Sequence, residues 1–536
     1  MTAAPAAAGP PRVAAIRSFI RRRRRRPWYD WYSTGFAVVL AVILLWDLLA
    51  QPFGRLNGPG VAGGIARGGG IAGAAPAQAV AGAALVIGAA AGLLVLAQAL
   101  GPLALSPADA AWLLLTPLNR RDVLRRPAAA TAGIAVVAGG VLGVLALAMA
   151  GPFLRLPAGA GTHRVPWAWL VLAAVGGAWF FAAAMLAGVL AQPWPRWRVR
   201  LRAAGAAVGV AATVGAVAGE RWNVVSRVIT DRFAELNTGS FGLIAVVAVA
   251  AACTAALLVR RMLPHFPAGV VRAGSARAGT VLLAAAFLNV PLLTWIAEDS
   301  HWRGRRLDSR PWPRLPAIAP RLGPAFVLAW ADWRRLSRRP AVLAALAVSA
   351  LAPALAGAAF TGRAHGWVTA AVLLAGAMAA GTQGTAATRR DSNDPALRRL
   401  LGVDAGAALV ARAVLPALLG AAWLALALAL LALTGELPGA LWPVLGLAAG
   451  PGVATAALRI ARTAPINPAD QGPDTPVTAP PWLMTRAGSV LLGLVAAWPT
   501  LRAVYAGHVH ASTFGAQVAF AAVVLGGYLT LAVRSA

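Results

Sequence analysis

The chain has 536 residues, of which 59% are hydrophobic and only 12% charged, and its 48 basic side chains outnumber 17 acidic ones. All 48 are arginine. A soluble domain of this size would carry about twice that charged fraction, so the composition excludes an ordinary soluble protein, and the missing lysine excludes a P-loop, whose lysine grips the phosphates of ATP. A net charge of +31 would point to nucleic acid in a soluble chain. Here the arginines cluster between long apolar runs, the pattern of loops and headgroup-facing helix ends, so the expected partner is the lipid bilayer and not nucleic acid. The single cysteine, Cys253, permits no intramolecular disulfide and is expected to pack in its apolar run as a small hydrophobe.

In chain order, Arg21 to Arg26 precede the first apolar run, and no small-residue cleavage site ends that run, so the N-terminus does not read as a cleavable signal. A run of about 18 apolar residues can cross the hydrocarbon core as a helix. Twelve spans are expected, over 33–51, 78–104, 128–151, 166–191, 203–219, 240–259, 341–360, 366–386, 412–434, 439–458, 487–504 and 512–533. The predicted fold class is all-α, a multi-pass membrane protein; a membrane barrel would alternate in short segments instead. With the N-terminus in the cytoplasm, 39 of the 48 arginines fall in cytoplasmic segments and nine in outer ones, which predicts both termini inside the plasma membrane. A further apolar run over 279–297 would invert every later loop if it crossed. With Pro291 at its middle, it is expected to lie along the inner surface. Trp28, Trp31, Trp167, Trp169, Trp194, Trp197, Trp330, Trp333, Trp367, Trp442 and Trp498 sit near span ends, where indole rings favour the headgroup layer.

The chain repeats its plan once. Trp28-Tyr29-Asp30-Trp31 precedes the first span and Trp330-Ala331-Asp332-Trp333 the seventh, and a constant offset of 285 pairs Gln98 with Gln383, Asp109 with Asp394 and Asn119 with Asp404. This divides the chain into a basic N-terminus (1–32), a first six-helix half (33–262), a cytoplasmic linker (263–340) and a second six-helix half (341–536). An even number of spans per half makes the repeat parallel, not inverted.

Two loops carry the strongest local signals. Between spans two and three, Ser106 can cap a short helix whose first turn holds Pro107 and Asp109 and whose body holds Trp112 and Leu115. Pro117 ends that helix, and Asn119 caps the next one, with Arg120 and Asp122 in its first turn. In the second half, Asn393 or Asp394 caps, Pro395 starts a helix containing Arg398, Leu400 and Leu401, Gly402 stops it, and Asp404 caps the following span. Each is either a hairpin that turns the chain or a docking element, and their duplication favours docking.

This layout resembles the permease of an ABC exporter with six helices per half. The phrases SPADAAWLLLTPLNRRDVLRRP, DPALRRLLGVD and RTAPINPADQGPDTP are similar to those of an actinobacterial membrane family, of unassigned function, thought to supply ABC exporter components. The resemblance implies elbow helices within 12–33 and 279–340, coupling helices over 107–116 and 395–401, and an amphipathic outer segment over 220–239. It also implies a separate, dimeric ATPase subunit carrying ATP and Mg, so that this chain is not itself the enzyme and holds no cofactor. The second half lacks a counterpart to the 220–239 segment.

Other ionisable groups are sparse in the spans. Asp47 is explained by capping or interfacial hydration, or by proton coupling, whereas Gln98 and Gln383 are expected to bond between helices. His508 and His510 make either a polar loop or an incomplete metal site. Asp109, Asp122, Asp391, Asp394 and Asp404 keep open the alternative of a membrane enzyme acting on lipid-linked substrates. An ion-coupled transporter is the third reading.

Overall fold

Within hydrocarbon, a lone segment can satisfy its backbone N–H and C=O groups only by folding into a helix. The computed structural model describes residues 74–105, 107–116, 118–150, 167–221, 238–286, 319–360, 363–393, 402–462 and 479–534, and every regular element among them is helical. The helices are α1 (Ala74–Leu100), α2 (Pro107–Trp112), α3 (Arg120–Ala150), α4 (Trp167–Ala191), α5 (Pro195–Arg221), α6 (Thr238–Met262) and α7 (Ala268–Ala286). They continue with α8 (Ala319–Ser337), α9 (Pro340–Ser349), α10 (Ala352–Ala359), α11 (Arg363–Gln383), α12 (Ala386–Asn393), α13 (Ala405–Leu433), α14 (Trp442–Arg462), α15 (Ala479–Ala506) and α16 (Ala511–Arg534).

Among the described residues, eleven helical stretches are long and apolar enough to cross a membrane, and each overlaps one of the twelve expected spans. The chain is thus an all-helical protein built for a membrane. The twelfth expected span (33–51), with Asp47, lies outside the described residues, as do the 12–33 elbow, Trp28, Trp31, nearly all of the 220–239 segment and residues 287–297. Residues 279–286 belong to α7.

The described residues form two compact units, one within 1–212 and 222–279, the other within 213–221 and 280–536. In the first, α3 and α4 make the closest pair, α6 packs on α4, and α1 lies against both α3 and α4. Glycine makes the α3–α4 approach possible. A Cβ at Gly139 or Gly177 would overlap the carbonyl oxygen of the other, and one at Gly143 would overlap that of Ala173. Such seams replace the hydrophobic drive that lipid cannot supply between helices.

In the second unit α14 is the hub, touching α11, α13, α15 and α16 and burying most of its length. Its glycines again allow contact: a Cβ at Gly446 would lie 2.6 Å from Ala425 N on α13, and one at Gly452 would lie 2.6 Å from the Ala496 Cβ on α15. Leu373, Leu424, Leu428, Leu431, Leu445 and Val453 fill the core between these helices.

Prolines break the regular pattern at two places. The single span expected over 341–360 is divided into α9 and α10, because Pro353 has no N–H to continue the ladder. Pro499 interrupts α15, and buried Gln517 of α16 repairs it. The Gln517 Oε1 accepts from Thr500 N at 3.1 Å and Thr500 Oγ1 at 2.8 Å, while its Nε2 donates to Ala496 O at 2.7 Å. One amide therefore replaces the helical bond between the Thr500 N–H and the Ala496 carbonyl.

Two expectations need correction, those for Cys253 and for the span from 412. Trp169 and Trp442, in the first turns of α4 and α14, are buried inside their units; Trp442 Nε1 donates to Pro438 O at 2.9 Å. Trp194, Trp197, Trp333, Trp367 and Trp498 remain about half exposed. Cys253 is exposed on α6 and not packed in a core. The span expected to start at 412 belongs to a helix that starts at Ala405, which draws Arg412 two turns inside α13.

Candidate functional site

The junction between α1 and α3 is built around a break in the helix. Gly101 takes φ +91°, and a Cβ there would meet Gln192 Nε2 at 3.0 Å and the Gly274 Cα at 3.1 Å, so both conformation and space call for glycine. The non-helical residues 101–105 need hydrogen-bond partners from elsewhere. Gln192, at the α4–α5 turn, supplies two: its Oε1 accepts from Leu103 N at 3.1 Å and its Nε2 donates to Leu103 O at 3.2 Å. Leu105 N donates to Ser275 Oγ of α7 at 2.8 Å, and Thr131 Oγ1 of α3 donates to Pro102 O at 2.8 Å.

This frame holds α2. Ala110 and the following turn residues Leu113 and Leu114 are buried among Leu105, Val123, Leu124, Val259 and Phe266. Trp112 is 76% exposed and Leu115 68% exposed. The helix is shorter than the expected 107–116; it turns after Trp112, and Thr116 Oγ1 donates to Leu113 O at 2.9 Å. Pro107 starts it and Asp109 lies in its first turn. Asn119 caps α3, accepting from Arg121 N at 3.0 Å, with Asp122 in the first turn. Arg120 Nη1 donates to Phe266 O at 3.0 Å, which ties the start of α3 to the chain beyond α6.

The corresponding stretch of the second unit begins with Gln383 at the end of α11. A turn at Gly384 and Thr385 follows, then α12. Asn393 is the last residue of α12. Asp394, Pro395, Arg398, Leu400 and Leu401 lie outside the described residues. Gly402 takes the left-handed φ of +63°, and Asp404 caps α13 by accepting from Gly406 N at 2.8 Å and Ala407 N at 3.2 Å.

The strongest polar feature here centres on Arg412, which was not among the residues singled out by sequence. Arg412 donates from Nη1 to Asp332 Oδ1 of α8 at 2.7 Å and from Nε to Asp391 Oδ2 of α12 at 2.9 Å. Asp332, only 6% exposed, comes from the Trp330-Ala331-Asp332-Trp333 motif, and its Oδ2 has no hydrogen-bond partner among the described residues. Burial pushes the Asp332 carboxyl above the usual range, with Arg412 and then Arg335 pulling it back and Asp391 pushing it up. A cleft of about 20 Å³ beside it is lined by Arg335, Arg339, Gln383 and Gly384. A signal for Arg412 was present: an arginine within an apolar run is costly and calls for a buried counter-charge.

Other sequence candidates are dispersed. Gln98 is buried, and its Oε1 has no hydrogen-bond partner among the described residues. Gln383 is half-buried along the cleft. His508 and His510 meet edge to face, ring centroids 4.8 Å apart. A separate pair, His365 Nε2 and Glu436 Oε2, stands 3.6 Å apart, with burial raising the Glu436 carboxyl and His365 opposing that shift.

Residues 74–468 match the model of a family of unknown function (DUF6297). The chain belongs to that family. No curated protein matches it, and no solved structure does. The DUF6297 match starts at the first residue of α1 and runs just past α14, so it includes the α2 junction, the Arg412 network and both capping residues, while Gln517 falls beyond it.

Proposed function

We propose that the chain is the membrane permease of an ATP-driven ABC exporter. In this reading it sits in the plasma membrane as two parallel six-helix halves with both termini inside. A separate, dimeric ATPase subunit supplies ATP, Mg and the hydrolytic chemistry. The observation that carries the reading is α2. It lies between two membrane-spanning helices, one side of it is anchored in the core, and Trp112 and Leu115 are left exposed. An exposed aromatic beside an exposed leucine on a rigid mount is the kind of surface a partner buries. The parallel placement of Asn119 and Asp404 as caps supports the two-half plan.

A membrane enzyme for lipid-linked substrates is less well supported. Asp391 is gripped by Arg412 and Asp404 by two backbone N–H groups, so neither presents an idle carboxylate.

The test is recovery of an ABC ATPase with the chain purified from its own membranes. Trp112→Asp and Leu115→Arg should each reduce that recovery about tenfold or more. The thermal midpoint of the isolated chain should not change, since both side chains are exposed. Undiminished recovery with both variants would sink the proposal.

A further inference from the structure

Three guanidinium groups converge on the C-terminal end of α1. Arg202 of α5 donates to the Gln98 carbonyl, and Arg277 of α7 donates from Nη1 to the Ala99 carbonyl at 2.8 Å. Arg198 stands one turn before Arg202 on the same helix face, and both Arg198 and Arg277 act on Arg202 as like charges. The helix end explains part of this gathering, since its carbonyls carry about half a negative charge. Arg198 and Arg202 alone bring more positive charge than that. No carboxylate among the described residues forms an ion pair with Arg198 or Arg202, and the Nε atoms of both are buried without a hydrogen-bond partner.

The position of the cluster selects its ligand. α5 is apolar enough to cross a membrane from Pro195 to Val217, which puts Arg198 and Arg202 in its first two turns. Trp194 and Trp197 at its start are about half exposed, and Arg200 lies over the Trp197 ring, 5.3 Å from its centroid. Aromatic rings and arginines at the first turns of a span mark the headgroup layer. Planar guanidinium forks match phosphate oxygens better than any other side chain.

We propose that Arg198, Arg202 and Arg277 bind the phosphate of an anionic membrane lipid. The lipid phosphate accepts from guanidinium N–H groups of Arg198 and Arg202 and neutralises their charge. The proposal is independent of any role in ATP-driven export.

The test uses the full chain in detergent, titrated with phosphatidylglycerol, with phosphatidylcholine of the same acyl chains, and with inorganic phosphate, reading the thermal midpoint. Phosphatidylglycerol should raise the midpoint saturably. Arg198→Gln should weaken half-saturation about fivefold. It is the cleanest variant, because the Arg198 side chain makes no hydrogen bond among the described residues. Arg202→Gln should weaken it at least as much, although it also removes the Gln98 contact. Arg261→Gln, exposed at the end of α6, should change nothing. Equal losses with Arg198→Gln and Arg261→Gln would reveal bulk attraction and overturn the site. Equal shifts with the two lipids would overturn the preference for an anionic one. A shift produced by inorganic phosphate and abolished by Arg198→Gln would overturn the lipid assignment in favour of a soluble phosphate.

Discussion

After α1 the chain leaves the helix for five residues, and neutral side chains hold it: Gln192, Ser275 and Thr131 bond directly to its backbone. After α11 it leaves the helix for only two residues, and the neighbouring elements are held by charge, with Arg412 between Asp332 and Asp391. The two arrangements differ in how they fail. A neutral amide loses little on leaving water if its bonds are remade. A buried ion pair gives back most of its Coulomb energy as desolvation, so it stabilises little as a whole and costs a great deal once halved. The first junction should therefore tolerate small losses in proportion, whereas the second should behave as all or nothing.

The largest expected effect follows from breaking the second junction. Arg412→Met leaves the buried Asp332 and the half-buried Asp391 without their shared counter-charge and should destabilise the folded chain by about 3–5 kcal/mol in denaturation measurements. Adding Asp332→Asn and Asp391→Asn should recover most of that loss. Failure of the triple variant to recover would remove the all-or-nothing distinction. Gln192→Leu comes next. It orphans the Leu103 N–H and carbonyl and should cost about 2 kcal/mol, with faster amide exchange confined to residues 101–105. If Gln192→Leu costs more than Arg412→Met, the comparison is reversed. Gln517→Leu should cost about 1–2 kcal/mol and loosen α15 around Pro499.

The smallest effect is a pH dependence at Glu436. Burial raises its carboxyl in the folded chain, so the folded state holds a proton that the unfolded state releases. Between the ordinary carboxylate value of about 4.3 and the raised one, stability should rise as pH falls and decline as pH rises. Glu436→Gln should flatten that slope, and an unchanged slope would remove Glu436 as its source.

Much of this was legible in sequence, and the reasons differ by residue. The eleven described spans follow from unbroken apolar runs, because hydrocarbon leaves the backbone no other choice. Asn119, Asp404 and Gly402 were readable because capping is local: the side chain or the backbone angle serves residues a few positions away. Arg412 was passed over because it stands at the first position of the expected span, where an arginine fits the headgroup layer, and only the helix begun at Ala405 places it two turns inside. Gln192 was missed because its partner lies 89 residues away, and no local pattern marks which glutamine will face a broken helix. The burial of Trp442 was not legible because a position near a span end does not determine which way the ring turns.

The central claim is that α2 is the handle by which an ATPase drives this chain. ATP hydrolysis by complexes purified from native membranes tests it most directly, comparing the natural chain with a Trp112→Asp, Leu115→Arg double variant of equal abundance and thermal midpoint. The account predicts hydrolysis that accompanies the natural chain and is lost with the double variant. Hydrolysis that accompanies both equally, or neither, would contradict it.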